Sequence, residues 1–295
     1  GQRITRRLPT VVDGVSVVEH DPRTGRLLPA EVSVVVLAHA GPHADLARQF
    51  VERGVSVVSV CDDVADIRSM LDLDDVARDA GVALVVGAGM SPGLTGLLAR
   101  WSASQLATCD EIHVAIHGTA GPSCARQHHR ALRGRSLGFH DGTWIQPPAG
   151  SGRELCWFPE PVGPYDCYRA ELASPLLLSD AFGDVDRISA RVSANRRDRF
   201  TAWLPMLSPP HREGGVGAVR VEVRGTDDSG ARVTSIVGVA ELVGTAAAAT
   251  ASAFAVEALG DRLPVGVSRA GDASIDTTRL LHTLSQLGVR LQEFT

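Results

Sequence analysis

The chain has 295 residues and a net charge of -5, with 44% hydrophobic and 21% charged residues. That length suits one large domain or two ordinary ones, and the composition argues against a disordered, collagen-like or coiled-coil chain. A net negative charge excludes the basic face that a phosphate backbone requires, so no nucleic-acid partner is expected.

No apolar run reaches the ~18 residues of a membrane span, and no signal-peptide segment opens the sequence, so no membrane partner and a cytoplasmic location are expected. Five scattered cysteines without a C-x-x-C pair point to reduced thiols rather than a disulfide frame or a zinc knuckle. The sequence contains no lysine, so any cationic ligand contact falls to arginine or histidine.

In chain order, residues 1–8 and a strand-like run at 15–19 look like the last glycine of a phosphate fingerprint, the helix behind it and the next strand. On that reading Gly1 closes the fingerprint, Asp21 meets the adenosine ribose and Arg23 stands near a 2′-phosphate. The first strand and glycine-rich loop are then expected upstream of Gly1; a shortened variant of the fold is the alternative. Runs at 32–37, 55–60 and 82–86 are apolar and β-branched throughout, the mark of parallel strands buried on both faces. Between them, residues 43–53 and 67–79 carry helical apolar stripes, and Gly54 and Gly81 stand where helix C-caps belong. Alternating strand and helix predicts a doubly wound, Rossmann-like parallel sheet.

The strand ends carry the first candidate residues. Ala40, Gly41, Pro42 and His43 form either ligand-lining backbone at the carboxyl edge of the sheet or a plain strand-to-helix turn. Asp62 and Asp63 end the next strand, facing the same edge or capping the helix that follows. The loop from Gly87 through Gly89 and Pro92 to Gly93 has the spacing G-x-G-x-x-x-G, which fits a tight turn lining a cleft better than a phosphate fingerprint.

Beyond residue 107 the texture changes. Residues 111–116 alternate as a half-buried strand, and 118–164 read as a long irregular region. Period-two runs at 185–193, 218–223 and 232–242 predict further strands, the last two joined as a hairpin across 225–230. Helices are expected at 245–259 and 277–287. Arg196, Arg197 and Arg199 offer guanidinium forks to a carboxylate, or form an exposed, internally paired charge run with Asp198. Tyr168 lies in an aromatic stretch that is either functional loop or buried plug, and His128, His129, His140 and His211 are candidate acids or bases. The spacing of these histidines matches no metal-binding helix pattern, so no metal is expected.

The order "AGP" at 40–42, then "ERGVSVVSVCDD", "ARDAGVALVVGAGMSPGLTGLLA" and "DEIHVAIHG", resembles the saccharopine-dehydrogenase-like family over residues 30–116, and the chain's close resembles the end of such proteins. The resemblance implies a Rossmann domain that binds NADP or NAD, joined to an α+β domain with a mixed sheet, and oxidoreductase chemistry on amino-acid-derived amines or imines. Gly41, Pro42, Pro92 and Gly93 would then face the cleft between domains. Where the family often shows "YVD", this chain has Val60, Cys61 and Asp62, keeping the acid and losing the aromatic.

The expected architecture is α/β: a Rossmann-like dinucleotide-binding domain over 1–106, an α+β substrate or dimerisation domain over 107–262, and a carboxyl-terminal helix over 263–295 packing back on the first. The expected function is NAD(P)-dependent oxidation or reduction of a small carboxylate-bearing substrate, with Arg196, Arg197 and Arg199 on the carboxylate, His211 or Tyr168 as proton donor, and a possible homodimer. A non-catalytic Rossmann-like binding or scaffold protein is the alternative.

Overall fold

The computed structural model describes residues 32–206 and 209–294. Gly1, Asp21, Arg23 and the strand expected at 15–19 lie outside the described residues.

The predicted alternation forms a parallel sheet. β1 (Val34–Leu37), β2 (Ser56–Ser59) and β3 (Ala83–Val86) pair parallel in that order, with α1 (Ala44–Val51) leading into β2. Continuous apolar sequence corresponds to burial: every residue of β3 is buried, as are Val57 and Val58 of β2. Gly54 and Gly81 adopt φ of +75° and +69°, the left-handed conformation that ends a helix at little cost for glycine.

The single helix expected at 67–79 is two, α2 (Val64–Leu71) and α3 (Asp74–Asp79), broken where Leu73 turns inward to 1% exposure. A straight helix could not bury both the Ile67–Met70 stripe and the Leu73–Ala77 stripe; the bend lays α3 along β3 and its next neighbour. That neighbour, β12 (Gly266–Arg269), comes from the far end of the chain and pairs parallel with β3.

The second layer is a mixed sheet, as expected. β4 (Thr108–His117) lies between β9 (Arg187–Ser193), to which it is parallel, and β10 (Val216–Thr226), to which it is antiparallel. β10 continues through the 225–230 connection into β11 (Arg232–Leu242), and β13 (Leu291–Phe294) closes that edge. The irregular region expected at 118–164 is instead largely built: α5 (Pro122–Ala131), the hairpin β5 (Gly138–His140) and β6 (Thr143–Ile145), and β7 (Glu154–Phe158) paired with β8 (Gly163–Arg169). Its glycines and prolines punctuate short elements, which is why no single period showed through. α6 (Ser174–Ala181) and the one-turn α7 (Arg196–Phe200) flank β9.

Two helices bind the layers into one core. α4 (Leu94–Ala103) runs between them, with Leu94, Leu97 and Leu98 at 0–1% exposure; burying each such side chain contributes about 1.5–3 kcal/mol. Gly96 lets α4 approach the turn after β12, since a Cβ there would stand 3.0 Å from the Gly271 nitrogen. Arg100 fixes the same junction by donating to the carbonyls of Gly271 and Ala181, both at 2.7 Å. α8 (Val243–Leu259) covers β1 and β2 with an alanine-rich face, and α9 (Thr277–Gln286) packs on α4 and α8. No helix among the described residues is long and apolar enough to cross a membrane.

Candidate functional site

Because β1, β2 and β3 are parallel, the turns that follow them share one edge, where ligands of such sheets bind. The turn after β1 is open: Ala40, Gly41 and Pro42 are exposed, Gly41 has φ of +111°, and a Cβ on it would meet nothing within 4 Å. The loop after β3 is the reverse. Gly89, Pro92 and Gly93 are buried, the Gly89 N–H donates to the Pro92 carbonyl at 2.9 Å, and the Leu94 N–H donates to Gly89 at 2.9 Å. Its polar backbone is satisfied from within, and a Cβ on Gly93 would run into the Gly89 backbone.

Beneath the first turn lies a buried polar chain. The His43 ring donates from Nε2 to the His39 carbonyl (3.0 Å) and accepts at Nδ1 from the Ser59 hydroxyl (2.8 Å). Asp66 takes the backbone N–H of His43 (2.7 Å) and of Ala44 (3.0 Å), and the Cys61 thiol donates to it at 3.1 Å. The amino end of α1 thus already carries an anion supplied by α2. Burial, then the bond to Asp66, pushes the Cys61 thiol far up, so it stays protonated.

The two aspartates after β2 divide their roles. Asp63 caps α2, accepting the N–H groups of Ala65 and Asp66 at 3.0 Å each. Asp62 is left to face α5, where its Oδ2 lies 4.0 Å from His128 Nε2; Cys124, one turn earlier, brings its sulfur to 3.8 Å from the same nitrogen. Burial raises the Asp62 carboxyl above its ordinary range, with the charge of His128 partly offsetting it. For His128 burial works downward, but Cys124 and Asp62 outweigh it and the net direction is upward.

His128 lines both a crevice shared with Asp62, Ser91, Pro92 and Ser174 and a cavity of about 270 Å³ that also takes in His129, Ser193, Asp198 and His211. Its Nδ1 is buried without a hydrogen-bond partner among the described residues. The ligand-type atoms of Asp62, Cys124 and His128 lie within 4.8 Å of one another, a donor set that could hold a metal ion. A ligating histidine almost always orients its ring through its second nitrogen, which here has nothing to hold it, so the cluster fits a proton relay better.

The other candidates scatter. His211 is exposed at the rim of the His128 cavity. Arg196 and Arg197 are exposed on α7, next to Asp198 in the same wall. Arg199 is wedged over the rings of Tyr168 and Phe200, and Tyr168 itself is 1% exposed within the core. His129 donates to the carbonyls of Thr201 and Leu204 and so anchors the end of α7, and His140 lies away from the edge beside Arg187. Sequence reasoning missed Cys124 as a site residue and the pairing of Asp62 with His128; the available signal was the four-residue spacing of Cys124 and His128, which share a helix face once 122–131 is helical.

No family model matches the chain, and no curated protein matches it in sequence. Among solved structures it matches apo saccharopine dehydrogenase (L-Glu forming) from Saccharomyces cerevisiae at a TM-score of 0.63 and 11% identity, over 90% of this chain and 86% of that one. A meso-dapdh mutant from Clostridium tetani, with DAP, matches at a TM-score of 0.42 and 14% identity over 84% of this chain and 78% of that one. An amine dehydrogenase from Mycobacterium smegmatis matches at 0.41 and 11% over 81% and 75%. The first match shows that the chain has the saccharopine dehydrogenase fold; the other two are too distant to carry an argument.

Proposed function

We propose that this chain is an NAD(P)-dependent oxidoreductase that moves hydride to or from the carbon of a C–N or C–O bond in a small, amino-acid-derived, carboxylate-bearing substrate. The observation that supports it most is the half-buried Asp62–His128 pair at the carboxyl edge of the parallel sheet, with one ring nitrogen unpartnered among the described residues beside a cavity.

The open backbone at Ala40–Pro42 fits a cofactor lying along that edge, because bare main chain allows close approach. The loop at Gly89–Gly93, turned in on itself, shapes the floor beneath it. Gly1, Asp21 and Arg23 belong to the proposal as contacts to the adenosine half. When bound, the nicotinamide supplies or accepts the hydride. Protonated His128 gives its Nδ1 proton to the substrate nitrogen or oxygen as the carbon is reduced, and takes it back in the oxidative direction. Asp62, beside Nε2, stabilises the imidazolium that must form. Arg196 and Arg197 are the arginines left to meet a substrate carboxylate, since Arg199 is held against Tyr168.

We assign the chain to the cytoplasm, consistent with its five free cysteines, and expect a homodimer using the apolar surface of Leu155 and Trp157 on β7. The test follows the absorbance of the reduced cofactor while 2-oxo acids are offered with amines. Wild-type chain is expected to turn over, and His128→Gln to lose about 100-fold or more in kcat with its cofactor Kd unchanged. Equal turnover by the variant, or none by the wild type with any substrate, would overturn the proposal.

A further inference from the structure

The face of the mixed sheet turned away from the core carries a second cavity, of about 410 Å³, which includes none of the turns after β1, β2 and β3. It is within the size range of small-molecule sites. Alternation along the strands builds it. Ile188, Ala190 and Val192 of β9 enter the core, so Arg187, Ser189 and Arg191 stand on the other side; β4 places Glu111 and His113 there, and β10 places Arg220, Glu222 and Arg224. Arg169, at the end of β8, registers opposite Arg191, and the β5–β6 hairpin walls the other side with His140.

The carboxylates on this face are already engaged. Glu222 accepts from Arg220 and from Arg224 Nε, both at 2.6 Å; Glu111 accepts from His113 at 2.9 Å and from Arg224 at 3.3 Å; Glu154 accepts from Arg191 Nε at 2.6 Å. Arg169 and Arg187 make no ion pair within 4 Å among the described residues; the Arg187 guanidinium lies against the ring of His140, and its charge acts on Glu111 from farther off. One terminal nitrogen of Arg191 is buried with no hydrogen-bond partner, a cost that a folded chain normally relieves with water or ligand. The cavity therefore has more guanidinium donors than acceptors to meet them.

We infer that this cavity is a binding site for a small multivalent oxyanion, a molecule with two or more carboxylate or phosphate groups gripped by Arg169, Arg187 and the free N–H of Arg191. Two anionic groups match two unpaired arginines several residues apart, and the planar guanidinium suits either chemistry in bidentate fashion. The floor is β9, whose last residues Val192 and Ser193 line the His128 cavity, so the two sites share a strand without sharing a pocket.

The test titrates the chain calorimetrically with citrate, succinate, pyrophosphate and chloride at one ionic strength, without cofactor. At least one multivalent anion is expected to bind with a Kd below millimolar while chloride does not; stronger citrate or succinate binding marks a carboxylate ligand, stronger pyrophosphate binding a phosphate ligand. Arg169→Gln and Arg187→Gln, which break no ion pair, are each expected to weaken that binding about ten-fold or more with the thermal midpoint of the unliganded chain kept. His128→Gln is expected to leave it unchanged. Absence of binding by every multivalent anion, or binding indifferent to both arginine substitutions, would overturn the inference.

Discussion

At the scale of single residues the proposed chemistry turns on Asp62, Cys124 and His128. Cys124 and Asp62 raise the His128 pKa above its ordinary 6.5 against the opposing effect of burial, which favours the protonated ring. Since reduction needs that proton, kcat/KM in the reductive direction should be highest on the acid side and fall as pH rises through the raised pKa. Asp62→Asn removes the negative charge that holds the imidazolium, so the falling limb should move to lower pH; a limb unmoved in Asp62→Asn separates His128 from Asp62. The place of Asp62 at the carboxyl edge was legible in the sequence because strand ends of parallel sheets meet at one edge, a rule that needs only the pattern of strands. His128 was visible as a candidate but not as the partner of Asp62, because nothing local says that 66 residues later a helix crosses that edge. Tyr168 shows the converse. An aromatic with a hydroxyl in a glycine-rich stretch looks like site chemistry, yet only packing reveals that it fills the core.

Elements are held by contacts that propensity does not describe. Nothing on α1 itself caps its amino end; the carboxylate of Asp66, from the first turn of α2, does so and also receives the Cys61 thiol. Asp66→Ala should lower stability by about 2–3 kcal/mol, because it strands two backbone donors and removes a charged acceptor, and Asp66→Asn should recover part of the loss. Urea unfolding checks it, and a loss under ~0.5 kcal/mol for the alanine variant would show the cap to be dispensable. Helix ends marked by glycine were readable, as Gly54 and Gly81 show, since the left-handed backbone is a local demand. The break at Leu73 was not, because a continuous apolar period satisfies one helix as well as two. Residues 118–164 were unreadable for a related reason: strands of three to seven residues between turns are shorter than any window over which a period can be counted.

For the whole molecule, the two sheet types followed from the sequence because continuous and alternating hydrophobicity differ plainly. The strands contributed by Gly266–Arg269 and Leu291–Phe294 did not, since each has four residues and joins partners more than fifty positions away. Three histidines that are wholly or partly buried, His43, His113 and His117, set the expected direction of the pH dependence of stability, against the opposing contribution of His128, whose pKa is raised. Burial lowers the pKa of His43, of His113, where the bond to Glu111 opposes it, and of His117, each from 6.5. The unfolded chain therefore takes up protons near pH 6.5 that the native chain refuses until lower pH, so their contribution is intact above 6.5 and is lost as pH falls. The thermal midpoint should drop between about pH 7.5 and about pH 5.5, and His43→Gln should show a smaller drop. An equal drop in the variant would remove His43 from that account.

The central claim is that the carboxyl edge of the parallel sheet receives a nicotinamide cofactor. Calorimetric titration of the chain with NADPH and, separately, NADH tests it most directly. Saturable binding of one of the two with unit stoichiometry, retained in His128→Gln, is the expected result; no heat and no fluorescence change with either nucleotide, up to millimolar concentration, would contradict it.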